Sequence, residues 1–198
     1  MLKRYTLPPI EKLWGRPETQ FEGWLDVEIA AMRARVALGE LPEQAYQAIA
    51  KFRETVTIGI ERIRALERLY GHDMIAFIEA MRELLIAAGA EDAARQFHVP
   101  FTSYDIEDPA IILRLRAGTK EIREAFGKLE AALGRRAKEH QWTLMIGRTH
   151  GQYAEPTTFG CLLMIFRQEA RRTIRRLTLA IELELAEGLT VLTGETGA

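Results

Sequence analysis

Two stretches of unbroken helical periodicity constrain this chain more than anything else in it. From Pro109 to about Lys138, Ile111, Leu115, Ile122, Leu129 and Leu133 recur on one side, with Gly118, Ala125 and Ala132 as small contacts between them. From Thr157 to about Glu187 the same spacing runs through Phe159, Leu163, Phe166, Ala170, Ile174, Leu177 and Ile181. A helix of about 30 residues is roughly 45 Å long. That exceeds the usual globular helix and points to a bundle. Two such helices bury little against each other, so the pattern asks for further helices from elsewhere.

The first half reads as shorter helices. Phe21, Leu25, Met32 and Val36, with Ile29 beside them, share a face between Glu18 and Leu38. Pro42 suits a first helical position, Gly71 and Gly89 suit helix stops, and Asp73 suits an N-cap. No stretch alternates convincingly with period two. The expected fold class is all-α: an N-terminal helical domain over 1–105, then the first two long helices of a bundle over 106–198. The closing "LTVLTGETGA" leaves the helical pattern and looks cut off rather than finished.

Composition narrows function by exclusion. A formal net charge of -1 on 198 residues gives no reason to expect nucleic acid or an anionic membrane as partner. Cys161 is the sole cysteine, so no internal disulfide is available and a reducing compartment fits. The opening "MLKRYTLPPI" has no apolar signal core and no run reaches membrane-spanning length, which together imply a cytoplasmic chain.

Three segments place imidazole, hydroxyl or amide groups beside expected helix N-termini, where free N–H groups and the helix dipole favour anions. They are "GHDMIAF" with His72 and Asp73, "FHVPFTSYDIEDPA" with His98, Thr102, Ser103 and Asp105, and "GRTHGQYAEPTTFG" with Thr149, His150 and Gln152. Each has a plainer reading. Thr102, Ser103, Asp105 and Asp108 are good capping residues, and the two roles are compatible. A loop histidine is more often structural than catalytic. His140, on the polar side near a helix end, reads as having no special role, and His98 stays undecided. The histidines show no i, i+4 pair and no cysteine companions, so no metal is expected. Arg167, Arg171, Arg172, Arg175 and Arg176 read as a solvated or intersubunit helix face rather than a nucleic-acid patch, because no aromatics interleave. Cys161 reads as core.

"GRTHGQYAEPTTFG" closely resembles a signature segment of the fumarase/aspartase superfamily, in the form of its adenylosuccinate lyase branch. "TSYDIED" resembles that family's Thr-Ser-x-Asp segment, "GHDMIAF" its His-Asp helix start, "RYTLPPIEKLW" its usual opening, and "LTGETGA" the Ser-Gly-Ala-Val-Gly-Thr loop after the second long helix. The matches run in family order along the whole chain. Gly151 and Gln152 after His150, and the Ala-Glu-Pro before the threonines, favour the adenylosuccinate branch over fumarase-, cycloisomerase- or argininosuccinate lyase-like ones.

The resemblance implies β-elimination of fumarate from adenylosuccinate and from the related succinyl-carboxamide ribotide, with no cofactor or metal. His150 is then the general acid and His72 an assisting group. Thr149 and Gln152 position substrate, and Thr102 and Ser103 hold a succinyl carboxylate. Arg4 and Tyr5 hold the nucleotide end, with Asp73 near the phosphate. It also implies a homotetramer whose active sites each draw on three subunits. Gly71 stands where the family has a basic residue, Pro100 where it has glycine, Pro109 where it has threonine, and Glu195 and Thr196 where it has small apolar residues. The family's Ser-Ser-x-Met-Pro-x-Lys-x-Asn-Pro loop, with its serine base, is absent, so the chain alone is expected to be inactive. The alternatives are a diverged paralogue, cycloisomerase- or argininosuccinate lyase-like, or a non-catalytic assembly fragment.

Overall fold

The computed structural model describes residues 3–185. Helices dominate it, and among the described residues the only sheet is one two-stranded hairpin. The chain divides into two compact units: residues up to Leu115 belong to the first, and the second begins at Arg116.

A 3₁₀ turn, Lys3–Tyr5, precedes α1 (Pro8–Trp14), α2 (Glu18–Ala37), α3 (Glu43–Thr55), α4 (Ile60–Tyr70), α5 (Asp73–Ala87) and α6 (Glu91–Gln96). The longest helix, α7 (Ser103–Glu139), follows. The first unit closes around α2 and α5. Leu25, Met32, Ile49, Ile63, Met74, Phe77, Met81, Leu85, Phe97 and Ile106 are fully buried there. Its centre is aromatic: Phe77 stacks on Phe21 at 5.8 Å and takes Trp24 edge-on at 5.4 Å. Such pairs add about 0.5–1.5 kcal/mol each to the burial itself.

Helix ends shift from their expected places for local reasons. Pro42 is the N-cap of α3 rather than its first residue. His72, extended at φ -150°, is the N-cap of α5, and Asp73 becomes the first helical residue. Gly71 closes α4 in the left-handed region at φ 67°, a conformation that a basic side chain adopts only at a steric cost. The first long helix begins at Ser103, not Pro109, so Pro109 lies inside it. Its start is fixed by Asp105, whose Oδ2 accepts from both the N–H and the hydroxyl of Thr102 at 2.8 and 3.0 Å. That is the reach-back half of a capping box. The Val99–Pro100 bond is cis.

In the second unit, β1 (Leu144–Thr149) and β2 (Gln152–Thr158) pair antiparallel, and α8 (Phe159–Leu179) runs on into a π-helical turn, Ala180–Glu184. The strand-poor expectation holds except for this hairpin. Helices α7 and α8 are antiparallel: Gly160 N–H donates to the His140 carbonyl at 3.0 Å, and further along Arg167 Nε meets Glu130 Oε1 at 2.8 Å. The seam is made of small residues. A Cβ on Gly160 would lie 2.6 Å from the Ala137 carbonyl oxygen, so only glycine allows this approach. Ala137, Gly160 and Ala170 are buried at the seam, whereas Ile122, Leu129, Ile165, Phe166 and Leu179 stay about half exposed. The expectation that these helices lack cover within the chain agrees with that. The "LTGETGA" segment and the end of the second long helix at Glu187 lie outside the described residues.

Candidate functional site

The segment around His150 is a hairpin tip, not a helix entrance. Thr149 and Gln152 pair as the last rung, and His150 and Gly151 form the two-residue turn between them. Both turn residues are left-handed, at φ 50° and 72°. Two-residue turns of this hand match the twist of the strands they join, which is why glycine occupies one of the two positions. The imidazole is thereby carried out on an exposed tip, flanked by Thr149 and Gln152. Below it the pairing shifts between Ile146 and Arg148, where a Cβ on Gly147 would meet the Glu155 carbonyl at 2.9 Å. Arg148 lies over the Tyr153 ring at 5.2 Å. The N-terminus of α8 is capped separately, by Thr158 Oγ1 accepting from Cys161 N–H at 3.2 Å. An anion site at that helix end would therefore be built on Thr158, a full strand away from His150.

The first unit holds the remaining candidates. His72 Nδ1 lies 3.5 Å from Asp73 Oδ1, both side chains half exposed, and Asp73 Oδ1 also accepts from Met74 N–H at 2.8 Å. Glu107 on α7, which sequence reasoning missed, is near enough to feel the charge of both. Burial pushes its carboxyl up from the ordinary value, the Asp73 carboxylate adds to this, and His72 pulls the other way. Asp108 raises it further. Ser103 stands one helical turn before Glu107, so its N–H, one of those a helix leaves unbonded, opens the same face. Thr102 donates both its N–H and its hydroxyl to Asp105, a cap of the expected residue type that opens the helix at Ser103 rather than at Pro109. Arg4 and Tyr5 sit on the exposed N-terminal turn, with the guanidinium 5.6 Å from the Tyr5 ring centre. Thus His72, Asp73 and Glu107 gather in the first unit, with Ser103 a turn away, while Thr149, His150 and Gln152 gather in the second.

His98, left undecided by the sequence, is mostly buried: its Nδ1 lies 2.5 Å from Oε1 of Glu28, among the described residues the one buried charged residue. Glu28 was legible. It falls on the apolar stripe, three residues after Leu25 and four before Met32. His140, expected to have no special role on the polar side, bonds Thr143 Oγ1 at 3.1 Å and packs edge-on to Phe159, a local structural role. Cys161 is exposed, which corrects its reading as core; the buried residue of that turn is its neighbour Gly160. Of the arginine run, Arg167 pairs with Glu130, and Arg171 lies 4.0 Å from the same carboxylate. Among the described residues no three of His, Cys, Asp and Glu gather closely enough to hold a metal ion, and no helix is long and apolar enough to cross a membrane.

A family model described as Lyase matches residues 9–195. Adenylosuccinate lyase from Streptococcus mutans is 37% identical over 176 residues, which is 89% of this chain and 39% of that protein. The adenylosuccinate lyase of Aquifex aeolicus is 36% identical over 182 residues, 92% of this chain and 40% of that protein. The chain therefore spans about two fifths of the length of the curated relatives it matches. Among solved structures, the 3-carboxy-cis,cis-muconate lactonizing enzyme from Pseudomonas putida superposes with a TM-score of 0.80 at 26% identity, over 98% of this chain and 48% of that one.

Proposed function

The chain belongs to the lyase family whose model it matches, and on that premise we propose that it supplies the N-terminal part of a C–N lyase releasing fumarate from adenylosuccinate and its succinyl-carboxamide counterpart. The observation that carries the reading is His150, an exposed imidazole in left-handed backbone at φ 50° on a hairpin tip. A non-glycine residue in that region is uncommon and draws a functional hypothesis. Elimination removes a proton from the carbon beside a carboxylate and breaks the C–N bond opposite. The leaving nitrogen then needs a proton, and an imidazole supplies one near neutral pH. His150 is the general acid, with Thr149 and Gln152 orienting substrate beside it and His72 and Asp73 assisting. Thr102 and Ser103 hold a succinyl carboxylate at the start of α7, the ligand taking over the Thr102 donors that Asp105 accepts here, and Arg4 and Tyr5 hold the nucleotide phosphate end. The reaction belongs to purine nucleotide synthesis in the cytoplasm and uses no cofactor. The long helices assemble as a homotetramer, residues 106–198 opening its central bundle. The 198-residue chain by itself does not turn substrate over.

The test is made in a chain of the relatives' full length. His150→Ala should lower kcat by about 10²–10⁴-fold, because the donated proton matters only as the C–N bond breaks. Arg4→Ala should mainly raise KM, since a phosphate contact is present before and during reaction. Near-normal turnover in His150→Ala with only weakened affinity would remove His150 as acid and make His72 the next residue to test. The half-exposed apolar residues of α7 and α8 favour a second reading, a non-catalytic assembly module. Normal oligomers that bind no adenylosuccinate would establish it.

A further inference from the structure

The four residues Gln96 to Val99 link α6 to the loop before α7, and each is held by a charged side chain of the first unit. Arg35 on α2 donates through Nη1 to the Val99 carbonyl at 2.7 Å and the Gln96 carbonyl at 3.4 Å, and through Nη2 to Gln96 Oε1 at 3.0 Å. Arg82 on α5 donates through Nη2 to the Phe97 carbonyl at 3.2 Å. Glu28, two helical turns before Arg35 on α2, takes the His98 ring at 2.5 Å and is fully buried. His98 is itself left-handed at φ 63°, so the backbone turns sharply under that contact. The Arg35 and His98 side chains are 11% and 12% exposed, so the bonds to Gln96 and the His98–Glu28 contact are made largely out of water, where charged hydrogen bonds are strongest, while the Arg35–Val99 bond lies nearer the surface.

Non-helical carbonyls near a core need donors, and a water or a serine would serve. Three charged groups from two helices, converging on four consecutive residues, do more than satisfy valence: they fix where the chain emerges at Thr102. We propose that Glu28, Arg35 and Arg82 are positioning residues, a clamp that sets the strap 96–99 and through it places Thr102 and Ser103 to receive a dicarboxylate. The second half of that statement rests on the lyase reading given above.

Hydrogen exchange of the 198-residue chain tests the clamp without any ligand. In Arg35→Met, amides from 97 to 103 should exchange about tenfold faster, the loss expected for hydrogen bonds to a charged donor. Amides of α4 and of the buried part of α5 should slow or quicken only with overall stability. Arg35→Lys should recover part of the protection, because an ammonium reaches one carbonyl but not the fork of acceptors. Glu28→Gln, which keeps an acceptor for His98 without the charge, serves if Arg35→Met fails to fold, and should loosen the same amides less. Exchange that rises equally across the whole unit in both variants would overturn the clamp, leaving these residues as ordinary stabilisers. Calorimetric fumarate titration of a chain of the relatives' full length, in which the proposed site is assembled from its subunits, is the second arm. Wild-type binding that weakens about tenfold in Arg35→Met supports the placement of Thr102 and Ser103, and unchanged affinity with a loosened strap overturns it. If the wild type binds no fumarate, the carboxylate role of Thr102 and Ser103 fails, while exchange still decides the clamp.

Discussion

The two units of this chain use the same sequence device and obtain opposite results from it. In the first, apolar residues at helical spacing are buried by neighbouring helices of the same unit, and Phe77 has stacked and edge-on aromatic partners. In the second, equally regular stripes on α7 and α8 leave Ile122, Leu129, Ile165 and Phe166 about half exposed. The cause is geometric. Two helices meet along one seam, and here small residues such as Gly160 and Ala137 line it. The large side chains fall on the other faces. Periodicity therefore tells which side of a helix is apolar, and not what covers it. Contiguous apolar surface of this kind marks a place for a partner, which in the proposed tetramer is the same helices of other copies.

Truncation at the two sites should separate the units most sharply. Phe77→Ala should cost about 3–5 kcal/mol, the usual range for emptying a closed aromatic core. Phe166→Ala in a dilute, unassembled chain should stay within about 0.5 kcal/mol. Urea unfolding followed by the fluorescence of Trp24 reports the first, and circular dichroism of the long helices reports the second. Comparable losses at both positions would mean that the second unit carries a core of its own, and the contrast would dissolve.

Assembly is the next test. If the exposed stripes are interfaces, Ile122→Glu with Ile165→Glu should weaken self-association about a hundredfold, as expected from losing a buried aliphatic contact at each helix. Analytical ultracentrifugation over a concentration series measures this, with the Phe77 core left intact as internal control. A wild-type chain that remains monomeric at high concentration would remove the interface reading.

How far this was legible depended on which force decides each element. Long amphipathic runs announced α7 and α8, because period and length survive whatever packs against them. The hairpin was hidden, because neither of its faces is buried throughout and Leu144, Met145 and Ile146 run consecutively instead of alternating. His150–Gly151 is also a less familiar turn pair than Asn-Gly. The start of α7 was misplaced because Pro109 is a favoured opener, whereas the Thr102–Asp105 cap acts six residues earlier. The candidate site residues were proposed from the resemblance, by type and order, and not from periodicity or packing. Glu28 stood out as a charge on an apolar stripe, but its partner His98 did not, and Glu107 was not readable at all, since what lies beside each is a tertiary fact.

The smallest expected effect concerns Glu107, and it follows from that tertiary placement. Its carboxyl is raised first by burial and next by the Asp73 carboxylate, with Asp108 adding and His72 opposing. The folded chain therefore holds this proton to a higher pH than the unfolded chain, where a glutamate titrates near about 4.3. By linkage, the stability associated with the protonated group is fully present below that value and is lost as pH rises through the raised folded one. Glu107→Gln mimics the protonated state at every pH. Wild type and variant should have the same urea midpoint in mild acid, and the variant should become slightly the more stable as pH approaches neutrality. His72→Ala, which removes the one opposing influence, should widen that gap and move upward the pH at which it is complete, while its onset stays at the unfolded value. A midpoint difference that is constant with pH would show that Glu107 is fully hydrated, and would detach it from the His72–Asp73 cluster of the first unit.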